Sequence, residues 1–201
     1  MKIAISYPPL ESDKGVALLS QNRQFQWFNN PTFIYPMVPA SAATLLQSMG
    51  HEVVWDDAIA EQKSESEWLA WYERAGLDLI AFESKTPTIK KHWRLIEEMK
   101  RRSPHTLVVL MGDHVTGFPE ESLEHSSVDY VLTGGDFDFA LRDLVNHLDR
   151  SDERCRISQL RTITRRICYR GCETRRGFLI TVSPPIGLQG FSHVGCLPRI
   201  C

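Results

Sequence analysis

The stretch VVLMGDHVTGFPEESL, residues 108–123, is apolar as far as Met111, halts at Gly112, and passes a second glycine into a helix start at Pro119. A short, continuous apolar run closed by a glycine reads as a strand covered on both faces. Four more runs have this form: KIAISY (2–7), HEVVWDD (51–57), DLIAFES (78–84) and VDYVLTGG (128–135), beside TLVVLMG (106–112) itself. Helical patterns lie between them. PASAATLLQSM (39–49) ends at Gly50, a helix stop. Ser64 and Glu67 have capping-box spacing ahead of Trp68, Tyr72 and Ala75. Ile89, Trp93, Ile96 and Met99 form one apolar stripe, and Phe137, Leu141, Leu144 and Leu148 form another behind Asp136, an N-cap type. Residues 119–125 fit a short helix.

Strands alternating with helices imply right-handed crossovers and a doubly wound parallel sheet. The expected fold is α/β and flavodoxin-like, five parallel strands in the order 2-1-3-4-5, with an irregular C-terminal tail. Residues 1–150 form the expected domain and 151–201 the tail. There is no internal repeat and no low-complexity segment.

Ligands of such sheets lie outside the carboxyl ends of the strands. The residues to weigh are therefore Tyr7, Pro8 and Pro9 after the first strand, and Ser84, Lys85 and Thr86 after the third. Gly112, Asp113, His114 and Thr116 follow the fourth, and Gly134, Gly135 and Asp136 the fifth. Glycines admit close approach of a ligand to the backbone. Each loop alone reads as an ordinary turn; four on one edge read as a binding site. Asp113 and His114, taken as extended, would point to opposite sides, so a catalytic pair is not expected. A single histidine is no metal site, and no catalytic or metal-ligating residue is assigned. His114 reads as a hydrogen-bonding loop histidine.

The loop between the first strand and first helix is about 30 residues, long for its type. It carries Phe25, Trp27, Phe28, Phe33 and Tyr35. Two readings stand for it: a local mini-core over the sheet edge, or a lid over a large apolar ligand.

Composition narrows the partners. The 201 residues carry a net charge of -2, unevenly spread. Residues 151–201 hold nine arginines, no lysine and three acids, a balance of +6; the first 150 hold 14 bases and 22 acids, a balance of -8. An acidic body argues against nucleic acid. No apolar run is long enough for a bilayer. The start MKIAISYPP reads as a strand and not a signal peptide, so a cytoplasmic location is expected. All five cysteines lie in the tail: Cys155, Cys168, Cys172, Cys196 and Cys201.

YPPL, PMVPASAATLLQSMGHEVVWDD, DLIAFESKTP, VVLMGDHVTGFPEESL and VDYVLTGGDFDFAL occur in this order over roughly residues 1–150. In these motifs the chain resembles the cobalamin (B12)-binding domain that precedes the catalytic barrel of B12-dependent radical SAM enzymes. MGDHVT resembles that family's G-G-x-H-x-T turn, with Met111 and Asp113 as departures, and TGGDFD stands where the family has G-E-G-E. The resemblance implies a corrinoid whose nucleotide tail is gripped at 84–86, 112–116 and 134–136, with His114 helping to line the entrance. Methyltransferase-type B12 domains ligate cobalt with the His of D-x-H-x-x-G after the first strand, and none stands there here. His114, Val115, Thr116 and Gly117 reproduce H-x-x-G after the fourth strand, with Gly112 in place of the acid, which reads as coincidence. Base-off cobalamin without a protein imidazole is the implied state.

Radical SAM chemistry needs C-x-x-x-C-x-x-C to hold a 4Fe–4S cluster and leave one iron for S-adenosylmethionine. Here Cys168 and Cys172 are followed by Arg175, and no barrel follows. Cluster and S-adenosylmethionine are therefore expected only in a full-length relative, and a radical SAM domain is the expected partner in an intact enzyme. A zinc reading of Cys168, Cys172, Cys196 and Cys201 has loose spacing. The tail's shift in composition reads better as a changed reading frame or damaged gene end than as a Cys-Arg module. The chain alone is expected to bind rather than catalyse. Two alternatives are a flavodoxin-like enzyme acting on a nucleotide or flavin, which lacks its G-x-G-x-x-G or P-loop, and a receiver-like module. The latter lacks an acidic pair after the first strand and has Ser84 where a phosphorylatable Asp is needed.

Overall fold

The structure is a computed structural model; it describes residues 1–19, 25–30, 32–155, 166–170 and 178–182, with side-chain surroundings described up to 149. Its centre is five parallel strands: β1 (Lys2–Tyr7), β4 (Glu52–Asp57), β5 (Leu79–Glu83), β6 (Leu107–Met111) and β7 (Tyr130–Leu132). They lie in the order β4-β1-β5-β6-β7, the flavodoxin-like arrangement expected. Successive side chains of a strand point to opposite faces, and here both faces are apolar. Ile3, Ile5, Leu79, Ala81, Val109 and Met111 face one layer, where α1 (Met37–Ser48) and α6 (Phe137–Cys155) contribute Leu46 and Leu141. Ala4, Ile80, Phe82, Val108 and Leu110 face the other. There α2 (Glu65–Ala75), α3 (Ile89–Arg102) and α5 (Pro119–His125) contribute Trp68, Ile96 and Leu123.

The helix boundaries follow the local signals. Ser64 and Glu67 form the capping box: Glu67 N donates to Ser64 Oγ at 3.3 Å, and Ser64 N donates to Glu67 Oε2 at 2.9 Å. Gly76, with φ +60°, ends that helix in the left-handed conformation. Ser64→Ala is expected to lower stability by about 1 kcal/mol, read as a shift in the urea midpoint. No shift would mean that α2 is held by its buried face alone.

One buried charge joins three elements. Asp56 accepts from Ser6 Oγ at 2.6 Å, Trp68 Nε1 at 2.7 Å and Lys63 Nζ at 2.8 Å, which ties β4 to β1 and α2. Each buried polar group in that set is partnered, so burial is tolerated.

Three features were not anticipated. The long first loop contains an antiparallel hairpin, β2 (Val16–Leu18) and β3 (Gln26–Phe28). Asp113–Gly117 is a helical turn, α4, and not an extended segment. From the tail, β8 (Arg166–Arg170) runs parallel beside β7, and β9 (Phe178–Val182) antiparallel beside β8. Among the described residues no helix is long and apolar enough to cross a membrane.

Candidate functional site

The loops after β1 and β5 leave the sheet on opposite faces, one into α1 and the other into α3. This is the topological switch point, where such sheets open a crevice. Tyr7 ends β1 and Glu83 ends β5, and Tyr7 Oη donates to Glu83 Oε2 at 2.8 Å across it. Pro8 and Pro9 are buried directly behind Tyr7.

Glu83 has only 4% of its surface exposed. Burial pushes its carboxyl up to about 7; the bond from Tyr7 and the charge of Lys85 oppose this, and Asp113 adds to it. Burial beside Glu83 likewise raises the Tyr7 phenol. Lys85 Nζ lies 3.8 Å from Glu83 Oε1 and 3.3 Å from Asp113 Oδ2. The lysine side chain is 5% exposed while that of Asp113 is 60% exposed, so the cluster runs from the protein interior to its rim.

Ser84 and Gly112 join β5 to β6. Ser84 N donates to Met111 O at 2.8 Å, and Ser84 Oγ lies 2.7 Å from Nδ1 of buried His92. Burial holds His92 neutral, its value lowered to about 3. A Cβ on Gly112 would stand 2.4 Å from Ser84 O and 3.0 Å from Glu83 Cγ, and Gly112 has φ +116°. This glycine is therefore demanded by the protein's own backbone.

His114 is held from three sides. Its Nδ1 is 3.2 Å from Thr86 Oγ1, its Nε2 3.2 Å from Glu121 Oε2, and its ring lies between Trp93 and Phe118. Burial lowers its basicity, against the pull of Glu121. Asp113 and His114 do diverge, as expected, but from a helical turn: one faces Lys85 on the rim, the other turns inward. Thr116 Oγ1 donates to Gly112 O at 2.8 Å and accepts from Gly134 N at 3.1 Å, which stitches α4 to the loop after β7. Gly135 and Asp136 lie exposed beyond it, and Asp136 O accepts the first helical bond of α6 from Ala140 N.

The residues singled out after β5, β6 and β7 thus form one connected edge, joined to Tyr7 through Glu83. Glu83 was missed; its signal is an acid ending a strand that is otherwise wholly apolar, LIAFE. Glu121 and His92 were missed too. Burial in the aromatic loop is uneven. Ala17 and Leu19 are buried as a mini-core, whereas Phe33 and Tyr35 are 46% and 62% exposed beside the strand ends. Cys172, Cys196, Cys201 and Arg175 lie outside the described residues; Cys155 is in α6 and Cys168 in β8. Most of the tail, on which the reading-frame expectation rests, also lies outside them.

Fold and edge together define an α/β protein with flavodoxin-like strand order and a polar, ionisable cluster at its switch point. Compared with protein-family models, curated proteins and solved structures, the chain matches none.

Proposed function

We propose that the chain is a cobalamin-binding domain of the type that precedes the barrel of B12-dependent radical SAM enzymes, and that it binds without catalysing. The observation that carries this reading is the open rim above α4. A Cβ on Gly117, Gly134 or Gly135 would meet nothing within 4 Å, and the hydroxyl-bearing Thr86 and Thr116 are exposed on the same edge. The residues present fit a nucleotide tail laid across that rim. Lys85, Thr86, Thr116, Gly134, Gly135 and Asp136 would hold it, and the exposed Phe33 and Tyr35 offer apolar surface to a large flat ring. Tyr7 ends β1 and Pro8 and Pro9 follow it, so no imidazole is offered there and base-off binding is the expected state. When bound, the corrinoid supplies methyl-transfer or radical-tuning chemistry; a radical SAM domain carrying the 4Fe–4S cluster and S-adenosylmethionine would be its partner in a longer protein.

Mixing the chain with hydroxocobalamin is expected to give a base-off visible spectrum and co-elution of colour and protein on gel filtration. An unchanged base-on spectrum with no retained colour would sink the reading. The second reading, a nucleotide- or flavin-binding enzyme domain, is favoured by one observation: the Tyr7–Glu83 pair sits at the switch point with a carboxyl raised to about 7, a value suited to proton transfer. Quenched fluorescence of flavin mononucleotide, with no response to hydroxocobalamin, would favour it.

A further inference from the structure

Among its neighbours, Lys85 has two carboxyl groups of different character. Asp113 is solvated on the rim, where another anion can take its place beside Lys85. Glu83 cannot withdraw: it ends β5, is buried, and is bonded to Tyr7 of β1. An anion that engages Lys85 from the rim therefore neutralises the cation that, among the described residues, faces Glu83, and brings a second negative charge towards it. A buried carboxylate in that position is relieved by protonation.

We propose that the rim beside Lys85 is a proton-linked anion site: a phosphate-type anion, here the phosphodiester of the nucleotide tail, pairs with Lys85, and Glu83 takes up a proton from solvent as it does so. The identity of the anion rests on the corrinoid reading above; the linkage rests on the cluster itself. The groups that face Glu83 are Tyr7 from β1, Lys85 from the loop after β5 and Asp113 from α4. Asp57, at the end of β4, acts on it through Tyr7. From α3 comes only neutral His92, by way of Ser84. Of these, Glu83 is the group whose carboxyl is brought to about 7, so the exchange falls at neutral pH. Tyr7 remains a phenol throughout and donates to Glu83 in either state.

The test uses the full chain and three probes. Hydroxocobalamin has the tail phosphodiester; cobinamide lacks it; sulfate is a free dianion at every pH used. Cobalamin affinity is expected to tighten about fivefold from about pH 8 to about pH 6, as a one-unit rise on binding from a carboxyl value of about 7 requires. Cobinamide affinity should stay flat. Glu83→Gln should bind cobalamin with a flat profile. Asp113→Asn, which removes the rival carboxylate and leaves the buried cluster intact, should bind more tightly with the slope retained. In the cofactor-free chain, carbon NMR of the Glu83 carboxyl should show its midpoint rising with sulfate, and Lys85→Ala should abolish the rise. Equal slopes for cobalamin and cobinamide, or for wild type and Glu83→Gln, would overturn the proposal. If no cobalamin binds, the corrinoid reading falls and the sulfate titration decides alone. A midpoint that rises only with Lys85 present sustains the site for a free anion, and an unmoved midpoint ends it.

Discussion

Gly112→Ala is expected to remove about 3 kcal/mol of stability, from the strain of a non-glycine residue in its backbone conformation together with forced overpacking. The added methyl would stand 2.4 Å from the carbonyl oxygen of Ser84, at a φ of +116°. Neither partner can give way, because Ser84 is pinned through its own N–H to Met111 O. Against a total of about 5–15 kcal/mol, such a loss is severe. In urea it should lower the midpoint by about 1–2 M with an unchanged slope. Gly117→Ala is the control: it has no positive φ and nothing within 4 Å of the added carbon, and it should leave the midpoint in place. Equal midpoints for Gly112→Ala and wild type would show that β5 and β6 do not close on each other as described. The same geometry makes larger residues at 112 unsuitable as probes of ligand binding, since they would unfold the edge before they blocked it.

The second large effect concerns pH. The Glu83 carboxyl is raised from 4.5 to about 7 in the folded chain, so the folded state holds its proton more tightly than the unfolded state. The resulting stabilisation is complete below about pH 4.5, is lost as pH rises through about 7, and is absent above it. Its full size is at most about 3 kcal/mol at 1.36 kcal/mol per unit. His92, lowered from 6.5 to about 3, works in the opposite sense: its contribution is present above about pH 6.5 and fades as pH falls through 3. The two are separated by difference. Glu83→Gln should match wild type near pH 4.5 and exceed it by up to about 3 kcal/mol at pH 8, because glutamine accepts from Tyr7 and carries no charge. Denaturation curves of the two chains that stay parallel from pH 4.5 to 8 would refute the assignment of the raised value to Glu83.

The five strands and their order were legible because each strand is buried on both sides, and a run such as LIAFE or LVVLM cannot be mistaken for a half-exposed helix of the same length. The capping box at Ser64 and Glu67 and the helix after Asp136 were legible for the opposite reason: their signals are local, within four residues. The heart of the site was not. Tyr7 and Glu83 are 76 residues apart, and no periodicity says that they meet. Glu83 occupies a position in its strand that burial alone would give to an apolar residue, and its partner is visible only once β1 and β5 are side by side. Gly112 was legible as a special position, but the nearness of Ser84 that requires a glycine there was not. The turn at Asp113 was read as extended because four residues between two glycines carry too little pattern to declare a helix. The hairpin of β2 and β3 escaped because strands of three residues leave no alternation to count.

The place of β1 in the sheet bears on how the chain is made. It lies between β4 and β5, with Ile3 opposite Val53 on one side and Leu79 on the other. The earliest-made of these five strands thus waits for β4 before one edge can pair, and for β5, ending at Glu83, before the other can. Parallel partners so distant in sequence assemble slowly, and open strand edges invite pairing with other chains. A nascent chain stalled between α1 and β5 would carry an apolar strand with at least one open edge, which makes residues 37–83 the window in which this protein is most exposed to aggregation and most dependent on holding factors.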